Sequence, residues 1–176
     1  AEYKAGSTLE GEVSSITEFG VFVKTPSGIE GLVNKANLSE DREVPYEEAK
    51  QTVLDALDIM GKEYTDMLKY AFENNWLDVY EKDNKMSGGY SMGIHTVHPY
   101  ILLNYMDSLR DVSTVAHELG HTMHSYYASK NQNIINANYT IMVAEVASTV
   151  NEILLANYLI EKEKDVTKKA ALINEQ

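Results

Sequence analysis

The chain has 176 residues, 44% of them apolar and 24% charged, enough for one domain or two small ones with a real core. Its 15 Lys and Arg stand against 27 Asp and Glu, a formal net charge of −12, which argues against general polyanion binding and against adhesion to anionic membranes. There is no cysteine, so disulfides, thiolate metal sites and cysteine nucleophiles are excluded together, and any metal must sit on His, Asp or Glu.

Residues 1 to about 43 read as β. Leu9, Gly11, Val13 and Ser15 precede Gly20-Val21-Phe22-Val23-Lys24; Thr25-Pro26-Ser27-Gly28 supplies a turn, and Ile29-Glu30-Gly31-Leu32-Val33 resumes an extended pattern. From Pro45, a residue suited to a first helical turn, Val53, Leu54, Leu57 and Met60 recur at helical spacing up to Gly61. A second helix is expected to carry Tyr64, Met67, Leu68, Ala71, Phe72 and Trp76. Gly88-Gly89-Tyr90 and Gly93 break helix, and Tyr100-Ile101-Leu102-Leu103 looks extended. A third helix is expected from near Asp111 to about Ser129, and a fourth from about Thr140 to Lys164, with the run Glu161-Lys162-Glu163-Lys164-Asp165 as a solvated helix end. No apolar run approaches the length of a membrane span, and Ala1 to Glu10 lack a basic-then-apolar signal pattern, so a reducing cytoplasm is the expected location.

Three of the five histidines fall in Ala116-His117-Glu118-Leu119-Gly120-His121-Thr122-Met123-His124. On a helix, His117 and His121 share a face with about 6 Å of rise between them. Two imidazoles so placed can converge on one zinc at about 2.0–2.1 Å. Glu118 lies about 100° round the helix from His117, where a carboxylate reaches a water at the metal without ligating the ion. The competing reading is an amphipathic helix with incidental surface histidines. A zinc site needs a third protein ligand. His124 shares the face but lies about 10 Å along the axis from His117, too far for one ion to bridge. Glu145, in Ile141-Met142-Val143-Ala144-Glu145-Val146-Ala147, is the better candidate, because a lone carboxylate in an apolar stretch is costly unless paired. The alternative places it on the wet face of its helix. Glu152, seven residues on, can accept a hydrogen bond from a ligand histidine.

These residues, together with Trp76-Leu77-Asp78-Val79-Tyr80-Glu81, Ser87-Gly88-Gly89-Tyr90-Ser91, His98-Pro99-Tyr100-Ile101-Leu102-Leu103-Asn104-Tyr105, His117 through Tyr127 and Val143-Ala144-Glu145-Val146-Ala147-Ser148-Thr149, closely resemble the oligoendopeptidase F branch of the thimet-oligopeptidase family of zinc peptidases. The resemblance runs from about Pro45 to Gln176. It implies one zinc ion on His117, His121 and Glu145, with Glu118 as general base and short peptides as substrates. It also implies a mainly helical, gluzincin-like catalytic core lining a channel, with the piece around Gly88–Tyr100 along the substrate backbone. The family's large N-terminal helical region and its C-terminal part, which carries Tyr and His groups for the tetrahedral intermediate, have no counterpart in these 176 residues.

Gly11-Glu12-Val13, Phe19-Gly20-Val21-Phe22-Val23 and Gly28-Ile29-Glu30-Gly31-Leu32-Val33 resemble about three strands of the RNA-binding OB module repeated in ribosomal protein S-one. In that module surface aromatics stack on bases; here Phe19 and Phe22 either do so or belong to the barrel core. Residues 1–44 hold 4 basic and 8 acidic residues, a net of 4 − 8 = −4, so RNA is an unexpected partner. The expected fold is therefore α+β, mainly α: a partial OB-type β module over 1–43 and a zinc metallopeptidase catalytic core over 44–176. The expected function is metalloendopeptidase; the alternatives are an RNA-binding OB-module protein and a catalytically inactive zinc-binding fragment.

Overall fold

A computed structural model of the chain describes residues 11–17, 20–34 and 43–174. By internal contacts the chain divides into two compact units, one drawn from residues 1–40 and 160–176 and one from 41–159.

In the first unit, strands β1 (Glu12–Thr17), β2 (Gly20–Lys24) and β3 (Glu30–Asn34) form an antiparallel sheet in the order β1-β2-β3. Val13 faces Val23 and Val21 faces Val33, with a bulge in β1 between Val13 and Ser15. The turn between β2 and β3 closes through Gly28 N–H to Thr25 O (2.9 Å) and Thr25 N–H to Ile29 O (2.8 Å). The alternation of β-branched residues gives the sheet one apolar side, where buried Val21 packs with Ala170 of helix α5 (Val166–Asn174), flanked by Val13, Val23 and Val33. Phe22 is half-buried in β2, and Phe19 lies outside the described residues.

The second unit opens with Val44, whose N–H donates to Asp107 O and whose carbonyl accepts from the Tyr105 hydroxyl (2.6 Å). Helix α1 (Tyr46–Ala56) starts after Pro45, as expected, but ends before Leu57; Asp58–Met60 form a tighter 3-10 turn that closes at Gly61. Helix α2 (Lys62–Glu73) is shorter than its apolar spacing suggests. Asn75 takes a left-handed conformation (φ 58°), which Asn tolerates better than most residues, and turns the chain out of the helix before Trp76. Trp76 is thus buried beyond the helix end, with its ring stacked on His98 at 4.8 Å between centroids.

Strands β4 (Leu77–Tyr80), β5 (Tyr90–Met92) and β6 (Tyr100–Tyr105) form a second sheet in the order β4-β6-β5, with β4 parallel and β5 antiparallel to β6. Ile101, Leu103 and Tyr105 alternate along β6 and point into the core with Val53, Leu57, Leu68, Val112, Val115, Leu119, Met123 and Leu155. Helix α3 (Leu109–Asn131) begins with a reciprocal cap. The Asp111 N–H donates to Ser108 Oγ, and the Asp111 carboxylate accepts from the Ser108 and Met106 N–H groups (3.1 Å each). Its apolar face, Val112, Val115, Ala116, Leu119 and Met123, fixes its rotation, and so decides which way the histidines point.

Helix α4 (Ile141–Lys162) packs against α3 where Ala147 and Ser148 meet Gly120. Its Asn151 is buried and ties three helices together, donating to Ala116 O (3.0 Å) and accepting from the Tyr64 hydroxyl (3.0 Å). Among the described residues α4 is the one helix long and apolar enough to cross a membrane by length and composition. In this unit, though, its Ala144, Ser148, Asn151 and Leu155 are buried.

Candidate metal centre

His117 and His121 lie on successive turns of α3, and Glu145 lies on the first turns of α4. Their separation depends on how closely the two helices approach, and Gly120 sets that distance. A Cβ on Gly120 would sit 2.6 Å from both Ala147 O and Ser148 Cα, distances no side-chain carbon tolerates. The missing side chain lets the α4 backbone rest on α3 immediately beside the histidine pair.

The result is a triangle of donor atoms. His117 Nε2 and His121 Nε2 are 3.1 Å apart, and Glu145 Oε2 is 3.6 Å from the first and 3.7 Å from the second. Tetrahedral zinc with bonds of about 2.0–2.1 Å holds its ligand atoms about 3.3–3.4 Å apart. The three edges straddle that length, so these residues fit a single small N/O-bound cation without rearrangement. The Ser148 hydroxyl donates to Glu145 Oε2 (2.9 Å) and fixes its orientation. Glu152 Oε2 lies 3.4 Å from His117 Nδ1, the placement of a carboxylate that holds a histidine in the tautomer presenting Nε2 to a metal. Burial and the neighbouring His117 hold His121 below the usual imidazole range, which favours the neutral, ligating form. His124 turns away, with its ring stacked on Tyr139 at 3.9 Å.

Glu118 points off the ligand face, as its helical angle requires. It is 6% exposed, and its Oε2 has no hydrogen-bond partner among the described residues. Burial pushes its carboxyl above the usual range, partly offset by the adjacent His117. Above it runs the segment from Gly89 to Gly93. A Cβ on Gly89 would meet Thr114 Cγ2 at 3.0 Å and Glu118 Oε1 at 3.4 Å, the Ser91 hydroxyl meets Thr122 Oγ1 at 2.7 Å, and Gly93 abuts Ser125. Edge strand β5 therefore lies across the Glu118 side of α3.

The matching sequence profile is that of Peptidase family M3, over residues 33–176. The chain belongs to peptidase family M3. Among M3-type relatives it is 45% identical over 131 residues to oligopeptidase PepF of Bacillus subtilis, covering 74% of this chain and 20% of that protein. It is 46% identical over 125 residues to an oligoendopeptidase F homolog of Borreliella burgdorferi, covering 70% of this chain and 21% of that protein. A crystal structure assigned as a peptidase of Chlamydophila abortus superposes with a TM-score of 0.75 at 40% identity, over 78% of this chain and 23% of that one. The chain thus spans about a fifth of the length of the curated M3 relatives it matches. An S1 RNA binding domain profile matches residues 2–54.

His117, His121 and Glu145, singled out by spacing and composition, come together in space, and Glu118 lies off that group on the neighbouring side of α3. Reasoning from sequence missed the Gly120 approach, the Ser148 bond to Glu145 and the buried Asn151. The contact of Gly120 with Ala147 and Ser148 joins two separate helices, so no local pattern marked it.

Proposed function

We propose that residues 44–176 carry the zinc centre and general base of a metalloendopeptidase acting on short peptides, and that residues 1–43 form a separate partial OB-type module in a cytoplasmic protein. The observation that carries this reading is the His117–His121–Glu145 triangle, with tetrahedral edge lengths, beside a buried carboxylate that is not part of it. The names of the relatives, oligopeptidase and oligoendopeptidase F, support the same substrate class.

His117, His121 and Glu145 hold the ion; zinc, when bound, polarises the scissile carbonyl and acidifies water at the site. Glu118 takes a proton from the attacking water as its oxygen bonds to the carbonyl carbon. Glu118 then delivers that proton to the amine nitrogen as the C–N bond breaks. Its burial suits this double duty, because desolvation pushes the carboxyl above its usual range and makes it a stronger base toward the water proton than an exposed carboxylate. Edge strand β5 supplies main-chain groups against which an extended peptide can align.

The zinc-loaded chain is expected to cleave an internally quenched fluorescent octapeptide, to lose that activity on chelation and to regain it when zinc is restored. Hydrolysis that persists through exhaustive chelation would contradict a metal-dependent mechanism.

A further inference from the structure

A cavity of about 540 Å³ opens beside Glu118, on the N-terminal side of α3. Glu118 does not itself line the cavity, but Gly89 belongs both to the cavity wall and to the cover of Glu118. Asn104 donates to Met86 O and Gly88 O (2.8 Å each), which fixes that wall.

Four charged residues line the cavity; Glu81 is exposed at its wall, and the other three divide by occupation. Lys85 is engaged with the carbonyls of Asp78 (3.0 Å) and Tyr80 (2.7 Å) and paired to the Asp78 carboxylate. Asp111 is consumed by the α3 cap. Arg110 lines the cavity and is exposed; its carbonyl accepts from the Thr114 hydroxyl (3.1 Å), but its guanidinium makes no ion pair or hydrogen bond among the described residues. It is one of only two arginines in a chain of net charge −12. Helix stability does not account for it, because a cation in the first turn of a helix opposes the macrodipole. Arg110, Thr114 and Glu118 stand on successive turns of α3, about 12 Å from end to end. An extended peptide covers that distance in about four residues.

We propose that this cavity is a substrate subsite in which Arg110 binds a carboxylate, either the C-terminus or an acidic side chain, about three to four residues from the scissile bond. The guanidinium offers paired N–H donors matched to a carboxylate, and its unpaired state leaves them available. The proposal rests on the peptidase reading above and supplies a substrate preference that the zinc triangle does not.

The test is equilibrium binding on the zinc-loaded Glu118→Gln chain, followed by fluorescence anisotropy. The probes are one fluorescein-labelled octapeptide as its free acid, the same peptide as its C-terminal amide, and the amide with one glutamate placed in turn at each position. The free acid or a glutamate-bearing amide is expected to bind about five- to tenfold tighter than the plain amide. Which of the two does so identifies the source of the carboxylate. Arg110→Ala should erase the difference and Arg110→Glu should invert it, with Tm unchanged or raised because a helix-opposing cation has gone. Peptide binding with no carboxylate preference, or a preference that survives Arg110→Ala, overturns the subsite and leaves the peptidase reading in place. Failure of every peptide to bind overturns both.

Discussion

Replacing Glu118 with glutamine is expected to lower peptide hydrolysis about 10²–10⁴-fold, about 3–5 kcal/mol of barrier, while leaving bound metal unchanged. Glu118 lies outside the donor triangle, so its loss removes no ligand. Glutamine keeps the size of the side chain but cannot accept the proton from water. The fold should not suffer, because the substitution removes a buried carboxylate whose Oε2 has no partner among the described residues; Tm should hold or rise. His117→Ala makes the contrast, since metal and activity should be lost together. Equal rates for Glu118→Gln and the unsubstituted chain would remove Glu118 from the mechanism.

The second large effect is expected at a residue that touches neither metal nor substrate. Gly120→Ala gains about 1 kcal/mol of helix propensity. Against that, the new Cβ meets the α4 backbone at 2.6 Å on two atoms, and backbone cannot swing aside as a side-chain tip can. Overpacking of this kind costs about 1–3 kcal/mol, and the strain should win. Moving α4 outward also carries Glu145 off the triangle, so zinc affinity should fall about 10–100-fold, the range seen when contacts that orient ligands are lost. Urea unfolding together with zinc titration separates the two effects. A Gly120→Ala chain as stable and as tight for zinc as the original would mean that the helix approach is not what holds Glu145 in place.

The local parts of this molecule were legible in the sequence and the long-range parts were not. A four-residue spacing is a property of one helix, so His117 and His121 could be paired before any fold was known. Glu145 stood out because its neighbours are apolar, which is also local. Gly120 carries no such mark: its meaning depends on Ser148 arriving against it from a separate helix far along the chain. Trp76 continues the helical spacing of Phe72, and only the left-handed turn at Asn75 takes it out of the helix. Strand β4 is four residues long and follows that turn without a break in apolar pattern. Helix α5 is short and bears adjacent lysines, so its pattern is weak on its own; Ala170 is buried in a cluster with Val21, against which Val13, Val23 and Val33 pack. The β reading of residues 1 to about 43 rested on turn chemistry and β-branched runs, and the three antiparallel strands follow that punctuation at Gly20 and at Thr25–Gly28.

Zinc stoichiometry tests the central claim most directly. After loading and exhaustive dialysis, elemental analysis should find about one zinc per chain, and His117→Ala, His121→Ala and Glu145→Ala should each lower that occupancy sharply, with the triple substitution abolishing it. A chain that retains no zinc, or one whose zinc content is indifferent to replacement of all three residues, would contradict the metal centre on which the proposed function rests.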